Sequence, residues 1–196
     1  MAEKLWLDEQ ALLEDAFRLG ARVLASDFRP SFIVAVWRGG APIGIAVQEL
    51  LAWRGVASDH IAIRTASYRG IDGRADEVAV YNLSYLVKKL SFEDRLLIVD
   101  DVFDTGRSVE AIVDRLGALL RRNMPRDVRV AVPWYKPSRN LTGRVPDYYL
   151  HETDAWIKFP HSLEGLDDAE VRAHRPALAR IVEAARVPRA DASRDG

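Results

Sequence analysis

Three short segments of predominantly apolar, largely β-branched residues constrain the fold of this chain more than any other feature. They are residues 32–36, 95–99 and 128–132. A strand buried on both faces of a sheet has this continuous pattern, whereas a strand with one exposed face alternates. Shorter strands are predicted at 60–64 and 148–150, and a polar, glycine-containing loop at 65–76. Segments with helical periodicity alternate with the strands elsewhere. This order predicts an α/β protein with a parallel sheet and right-handed crossovers.

The predicted helices begin at recognisable first turns. Asp8 can cap an amphipathic N-terminal helix, and Leu7 and Leu12 occupy the two positions of a hydrophobic staple. A glycine turn at Gly106 leads into a second amphipathic helix. A closing helix is predicted near the C-terminus, so helices are expected to flank the sheet.

Composition narrows the class of protein further. The chain has 28 Lys and Arg and 29 Asp and Glu, so its net charge is −1. This charge supplies no overall electrostatic field that would attract nucleic acid or an anionic membrane. The absence of cysteine excludes a disulfide framework, a thiolate nucleophile and a cysteine-built zinc site. Acidic residues within 1–13 argue against a secretory signal, and no apolar run approaches the ~18 residues of a membrane span. We therefore expect a soluble, cytoplasmic protein.

At 196 residues, one domain is the expectation, because domains usually contain roughly 100–200 residues. We divide the expected single domain into an N-terminal helix (1–30), a core (32–132), a hood (133–166), a C-terminal helix (167–187) and a flexible tail (188–196).

The chemistry is concentrated in residues 96–108, where a hydrophobic strand is followed by Asp100, Asp101 and a turn. Ligands of open α/β sheets bind at the carboxyl ends of the strands. A helix N-terminus with nearby hydroxyl groups suits a phosphate, and Gly106 lets the backbone approach the anion closely. Adjacent carboxylates suit sugar hydroxyls or a hard cation such as Mg²⁺. With Asp104, three aspartates within five positions repel one another unless a cation or hydroxyl donors offset the charge.

Residues 100–108 resemble the phosphoribosyl-diphosphate signature of the type I phosphoribosyltransferases. Residues 36–40 are similar to the diphosphate loop of that family, and residues 66–70 to its mobile Ser-Tyr loop. Residues 135–137 and 154–157 resemble the purine-binding part of the 6-oxopurine branch. The resemblance implies a parallel sheet flanked by helices, with a small hood over the C-terminal strand ends. The predicted N-terminal helix is expected to lie outside the part of the chain that shows the resemblance.

The resemblance also implies roles for individual residues. Asp104 takes the catalytic position next to purine N7, and Asp100 and Asp101 hold the ribose hydroxyls, partly through Mg²⁺. Glu164 is a further candidate metal ligand, and the peptide between Trp37 and Arg38 is expected to be cis. The residues expected to bind phosphoribosyl diphosphate are Arg38, Gly39, Gly40, Ser67, Tyr68, Asp100, Asp101, Thr105, Gly106, Arg107 and Ser108.

Three residues are the candidates for purine binding. A lysine can only donate hydrogen bonds, so Lys136 matches the 6-oxo group of hypoxanthine, guanine or xanthine and mismatches the 6-amino group of adenine. Trp156 offers a flat face for stacking. The backbone of Ile157 would contact the purine edge.

The resulting expectation is a Mg²⁺-dependent purine-salvage enzyme. It would transfer the phosphoribosyl group of 5-phosphoribosyl 1-diphosphate to a 6-oxopurine, giving a nucleoside monophosphate and diphosphate. The resemblance suggests a homodimer or tetramer. Two alternatives stay open: a regulator that binds the sugar diphosphate without transferase activity, and a transferase acting on a pyrimidine or another acceptor.

Overall fold

The structure is a computed structural model that describes residues 4–68 and 77–185, and the side chains of residues 67, 68 and 77 are outside that description. The chain divides into two compact units, Met1–Phe159 and Pro160–Gly196.

The first unit holds nine strands and four helices among its described residues. The strands are β1 (Lys4–Trp6), β2 (Phe32–Trp37), β3 (Asp59–Tyr68), β4 (Glu77–Tyr81), β5 (Arg95–Val99), β6 (Val102–Phe103), β7 (Asp127–Tyr135), β8 (Tyr148–Glu152) and β9 (Trp156–Lys158). The helices are α1 (Glu9–Ala25), α2 (Gly40–Trp53), α3 (Ser84–Lys89) and α4 (Arg107–Leu120), with single 3₁₀ turns at Arg121–Asn123 and Pro137–Arg139.

Seven strands form the main sheet, in the order β4-β3-β2-β5-β7-β6, with β8 also paired to β7. Every pairing is parallel except that of β3 with β4. Strands β1 and β9 form a separate two-stranded parallel sheet. The predicted α/β class and parallel sheet are confirmed.

The core lies on both faces of the main sheet, which explains the continuous apolar pattern. In β5, Leu96 and Ile98 face the cluster that includes residues of α3 and α4. Leu97 and Val99 face the cluster that includes residues of α1 and α2. Since successive side chains of a strand point to opposite faces, both faces of β5 must be apolar.

The N-terminal helix begins as predicted. The Asp8 carboxylate accepts hydrogen bonds from the amides of Gln10 (2.9 Å) and Ala11 (3.1 Å). Further along α1, the buried Asp15 lies 2.7 Å from Nε2 of His151 in β8. This contact ties α1 to the sheet.

Two predicted boundaries are wrong. Residues 65–68, expected to begin a loop, continue β3 and pair with residues 77–80 of β4. The rest of that predicted loop, 69–76, lies outside the described residues. The predicted C-terminal helix over 167–187 is divided in the second unit into α5 (Asp168–His174) and α6 (Pro176–Ala185). Pro176 lacks an amide hydrogen and disfavours helical backbone at Arg175, so the first helix ends there.

The start of α5 has a reciprocal cap. Asp167 accepts a hydrogen bond from the amide of Glu170 (2.8 Å), and the Glu170 carboxylate accepts one from the amide of Asp167 (3.2 Å). The predicted tail at 188–196 is outside the described residues. Across the described part of the chain, every helix is too short or too polar to span a lipid bilayer.

Candidate active site

The carboxyl ends of β2 and β5 lie side by side and bring two predicted segments together. In the parallel pairing, Ala35 is opposite Val99, so both strands lead directly into their loops. A Cβ atom added to Gly40 would lie 2.5 Å from the carbonyl oxygen of Val99, and one added to Gly39 would overlap the Asp101 carboxylate. Glycine at both positions therefore allows the two loops to approach closely.

The loop after β2 has the predicted backbone geometry. The peptide between Trp37 and Arg38 is cis, which confirms that expectation. Arg38 is exposed at the end of the strand, and Gly40 begins α2.

Asp100 and Asp101 occupy a two-residue interruption in strand pairing. Strands β5 and β6 both pair in parallel with β7. Between these two paired regions, the amide of Asp100 donates a hydrogen bond to the carbonyl of Ala131 (3.2 Å). The Asp100 carboxylate accepts a hydrogen bond from the amide of Asp101 (2.9 Å). Burial raises the pKa of Asp100 well above its ordinary value, and the neighbouring charge of Asp101 raises it further.

The two carboxyl groups could hold a divalent cation such as Mg²⁺. Within the part of the chain that the structure describes, no group of three or more His, Cys, Asp or Glu could hold a metal ion. Mg²⁺ is commonly held by only one or two carboxylates together with water and substrate oxygens, so the Asp100–Asp101 pair meets that requirement. A cation would also offset the repulsion that raises the Asp100 pKa.

The turn before α4 is closed by contacts that require glycine. Gly106 has φ of +80°, and an added Cβ would lie 2.5 Å from Oγ1 of Thr142 and 2.8 Å from the Phe103 ring. The carbonyl of Thr105 accepts a hydrogen bond from the amide of Leu141 (3.0 Å). Arg107 and Ser108 are the first two residues of the helix. The predicted phosphate turn is therefore at a helix N-terminus.

A loop that the sequence did not single out supports this turn. The side-chain amide of Asn140 donates to the Tyr135 hydroxyl (3.1 Å) and to the Arg144 carbonyl (2.9 Å). Its oxygen accepts from the amide (2.9 Å) and hydroxyl (3.0 Å) of Thr142. Asn140 thus fixes the threonine that contacts Gly106.

Of the predicted purine-binding residues, Lys136 lies next to Asp104 and near the ring of Trp156. The amide of Lys136 donates to the Phe103 carbonyl (2.9 Å), which sets the two segments side by side. Lys136 is only 4% exposed, and its Nζ lies 3.4 Å from Oδ2 of Asp104 and 5.8 Å from the centroid of the Trp156 ring. Trp156 is 52% exposed, whereas Ile157 is packed in the core. A flat surface, a buried cation and a carboxylate therefore meet at one place.

Arg139 is a site residue that sequence reasoning missed. Its Nε lies 2.5 Å from Oδ1 of Asp104, so both oxygens of that carboxylate face a cation. Arg139 ends the 3₁₀ turn that begins at Pro137. Arg139 follows Lys136 by three residues, which is one turn of a 3₁₀ helix. This spacing could have been used to predict that both side chains lie on the same side of the turn.

Three predicted residues are not placed at the site by the described structure. The side chains of Ser67 and Tyr68 lie outside the described residues, although their backbones pair with Val78 and Glu77. Glu164 belongs to the second unit, and its assignment as a metal ligand stays a prediction.

Comparison with known proteins gives a consistent picture of the fold. A purine phosphoribosyltransferase from Pyrococcus horikoshii Ot3 is 23% identical, with a TM-score of 0.67 over 84% of this chain and 97% of that one. A hypothetical protein from Neisseria gonorrhoeae, solved with bound ppGpp, is 21% identical, with a TM-score of 0.70 over 92% and 98%. The xanthine-guanine-hypoxanthine phosphoribosyltransferase of Helicobacter pylori is 19% identical, with a TM-score of 0.60 over 80% and 92%. Among curated proteins, no sequence matches significantly.

The family assignment comes from the sequence match to a family model. The model described as "Phosphoribosyl transferase domain" matches residues 7–168. The match includes α1, so the expectation that the N-terminal helix lies outside the shared part is wrong. Because the match covers most of the chain and includes both strand-end loops, this protein belongs to the phosphoribosyltransferase family of enzymes.

Proposed function

We propose that this protein transfers the phosphoribosyl group of 5-phosphoribosyl 1-diphosphate to a 6-oxopurine in a Mg²⁺-dependent reaction. One observation carries the choice of acceptor: the buried ammonium of Lys136 lies between Asp104 and the exposed ring of Trp156. A purine stacked on the indole can accept a hydrogen bond from Lys136 through its 6-oxo group, whereas adenine presents a donor there.

The sugar diphosphate is held by the strand-end loops. The 5′-phosphate binds at the start of α4, where Thr105, Gly106 and Ser108 offer amides and hydroxyls. The diphosphate binds at Arg38 and the two glycines that follow it. Asp100 and Asp101 accept hydrogen bonds from the ribose 2′- and 3′-hydroxyls.

In the reaction, the bond between sugar C1′ and the diphosphate oxygen breaks, and a bond to a purine ring nitrogen forms. Positive charge builds on the sugar as diphosphate leaves, and the nearby Asp104 carboxylate stabilises that charge and the proton at purine N7. Lys136 holds the 6-oxo group, so the base is already oriented when the sugar becomes electrophilic. We assign Ser67 and Tyr68 to the loop that keeps water from the cationic sugar.

Magnesium is part of the proposal. Asp100 and Asp101 are the residues that would hold it. The ion would supply positive charge to the ribose hydroxyls and the departing diphosphate.

The decisive experiment measures diphosphate release from 5-phosphoribosyl 1-diphosphate with guanine, xanthine, hypoxanthine, adenine, uracil and orotate, with and without Mg²⁺. We expect release with at least one 6-oxopurine and none without the cation. Release with uracil or orotate only would show that the acceptor is a pyrimidine.

Asp104→Asn and Lys136→Ala test the two roles separately. Asp104→Asn should lower turnover while binding of the sugar diphosphate stays nearly unchanged. Lys136→Ala should raise KM for the oxopurine more than KM for the sugar diphosphate. Equal effects on both substrates would contradict the base contact.

A second candidate is a regulatory role for the same site. The Neisseria gonorrhoeae structure with bound ppGpp makes a guanine nucleotide with two diphosphate groups a reasonable ligand to test. Calorimetric titration with ppGpp, in the presence and absence of 5-phosphoribosyl 1-diphosphate, would show competition if both use the strand-end loops. Binding of ppGpp without diphosphate release from any base would favour the regulator.

A further inference from the structure

The turn before α4, which we assign to the 5′-phosphate, depends on neighbouring segments for its shape. Gly106 stands immediately before the helix with φ of +80°, and it has no side chain that could cap the first turn. Glycine has the greatest backbone freedom of any residue, so a turn built on it is poorly defined unless other groups hold it. Such groups come from the loop between β7 and β8, residues 136–147.

Two residues of this loop contact the turn directly. The amide of Leu141 donates a hydrogen bond to the carbonyl of Thr105 (3.0 Å). Oγ1 of Thr142 lies 2.5 Å from the position that a Cβ atom of Gly106 would take. One contact is a hydrogen bond and the other is close packing, so the shape of the turn depends on where the loop is held.

Asn140 fixes the conformation of the loop at this point. Its side-chain oxygen accepts hydrogen bonds from the amide (2.9 Å) and the hydroxyl (3.0 Å) of Thr142. Its side-chain nitrogen donates to the Tyr135 hydroxyl (3.1 Å) and to the Arg144 carbonyl (2.9 Å). A side-chain amide has two acceptor positions and two donor hydrogens, so these four hydrogen bonds use its full capacity.

The partners of Asn140 belong to or contact β7. Tyr135 is the last residue of that strand, is 6% exposed and packs edge-to-face against the ring of Phe103, with 5.7 Å between ring centroids. The guanidinium of Arg144 donates to the carbonyl of Val128, also in β7. A residue supported by buried groups holds its own partners more accurately than one on a free loop. Asn140 thus connects the turn to the main sheet.

We infer that Asn140 is a positioning residue for the 5′-phosphate, which acts through Thr142 to hold the turn at Gly106 in the shape that receives the phosphate. The inference rests on the proposed function. A turn that already has the right shape does not have to be ordered when the phosphate binds, so loss of Asn140 should weaken that contact. The loop after β2 should change little, because Gly40 packs against the backbone of Val99 instead.

Calorimetric titrations with ribose 5-phosphate and with inorganic diphosphate, both in the presence of Mg²⁺, examine the two loops separately. In Asn140→Ala, the Kd of ribose 5-phosphate should rise roughly 10-fold, because the phosphate loses preformed hydrogen bonds. The Kd of inorganic diphosphate should stay within about twofold, because that loop has its own support. A general loss of structure would instead weaken both ligands. Asn123→Ala, at the exposed end of the other 3₁₀ turn, is the matched control and should change neither Kd.

Two variants of Thr142 keep the test decisive if Asn140→Ala does not fold. Thr142→Ser keeps the hydroxyl that bonds to Asn140, so the Kd of ribose 5-phosphate should stay within about twofold of the wild type. Thr142→Val keeps the shape of the side chain but loses that hydrogen bond, and should raise the Kd by about threefold to 10-fold. Thermal unfolding of each variant shows whether it is folded.

Three results overturn the inference: an equal Kd of ribose 5-phosphate in the wild type and Asn140→Ala, an equal loss of affinity for both ligands, or no binding of ribose 5-phosphate by the wild type. If only the Thr142 variants fold, an equal Kd for Thr142→Val and Thr142→Ser overturns it. Failure of the proposed function looks different, because the wild type then releases no diphosphate with any base. The titrations need no base, so they still test Asn140 in that case.

Discussion

Asp104 is held by cations at both of its oxygens. Arg139 lies 2.5 Å from Oδ1 and Lys136 lies 3.4 Å from Oδ2. The side chain of Arg139 is 48% exposed, whereas that of Lys136 is 5% exposed. Charged hydrogen-bonding partners on both oxygens fix the orientation of the carboxylate more closely than one partner would. Arg139 therefore acts through Asp104 as a positioning residue.

Arg139→Gln should lower kcat by roughly 10-fold, because the Asp104 carboxylate loses the contact that orients it. KM for 5-phosphoribosyl 1-diphosphate should stay within about twofold, since Arg139 lies outside the strand-end loops we assign to that substrate. Steady-state kinetics with Arg122→Gln, an exposed residue of the other 3₁₀ turn, provides the control. A change in KM for the sugar diphosphate alone would contradict this role.

Among individual residues, the sequence was enough to identify those that belong to contiguous motifs. It was not enough to identify those that reach the site only through tertiary contacts. Asp104 and Lys136 belong to motifs, and their proximity depends on β6 and β7 being neighbours. Arg139 and Asn140 follow the lysine in a turn with no marked pattern. Their partners, the Asp104 carboxylate and the Tyr135 hydroxyl, were not apparent without the turn geometry.

Among the elements, the close approach of α2 to β5 depends on Gly40. An added Cβ would lie 2.5 Å from the Val99 carbonyl and 2.8 Å from Cα of Asp100. Because both atoms belong to the backbone, a side-chain rotation cannot relieve the overlap. The start of α2 can therefore pack this closely against Asp100 only if residue 40 has no side chain.

Gly40→Ala should destabilise the protein by about 1–3 kcal/mol through overpacking. It should also weaken binding of the sugar diphosphate, because the loop must move away from Asp100. Gly117→Ala in α4 is the matched control: nothing lies within 4 Å of its added Cβ, and alanine should stabilise the helix by about 0.5–1 kcal/mol. Thermal unfolding and a 5-phosphoribosyl 1-diphosphate titration measure both effects. Equal unfolding temperatures for the two variants would refute the argument.

Strand β1 supports the strand that carries the proposed base contacts. Leu5 is opposite Ile157 in the pairing and packs against the same core cluster. Leu5→Asp should therefore raise KM for the base more than KM for the sugar diphosphate, which we assign to the other sheet. Leu13→Asp, at an exposed position of α1, should leave both values nearly unchanged. Equal increases in both KM values for Leu5→Asp would mean that β1 supports the whole fold instead.

The long buried strands and amphipathic helices could be read from the sequence, whereas the short elements could not. Strands β2, β5 and β7 have runs of apolar residues that only burial on both faces explains. Strands β1, β6 and β9 have two or three residues each, too few to show any period. They are defined by partners far along the chain, as when Lys4 pairs with Trp156.

Across the whole molecule, the proposed chemistry and a compact stabilising network lie at opposite ends of the main sheet. At the amino ends of β2 and β5, the Ser31 hydroxyl donates to Asp94 (2.7 Å) and accepts from the Arg95 amide (3.0 Å). The amide (2.7 Å) and hydroxyl (2.9 Å) of Ser91 donate to the other oxygen of Asp94. Burial acts to raise the pKa of Asp94, but these hydrogen bonds outweigh it, so the pKa is lowered.

A lowered folded-state pKa means that the ionised carboxylate stabilises the fold above the unfolded-state pKa of about 3.9. This contribution disappears as the pH falls through the folded-state value. Asp94→Asn should therefore lower the free energy of unfolding by about 1–3 kcal/mol at pH 7 and by progressively less below pH ~4. Urea unfolding between pH 3 and 7 measures the difference, with the exposed Asp114→Asn as the control. A difference that does not change with pH would exclude ionisation as its cause.

The separation of the chain into two sheets has a consequence for how such a protein can diverge. The seven-stranded sheet carries the loops that we assign to the sugar diphosphate, and also Lys136 after β7, whereas the two-stranded sheet of β1 and β9 carries Trp156. We therefore expect substitutions in β9 to change how the base is held while the loops after β2 and β5 keep their geometry. Part of the proposed base site can therefore vary without changes in the main sheet, and a small library of β9 variants would test whether acceptor preference follows.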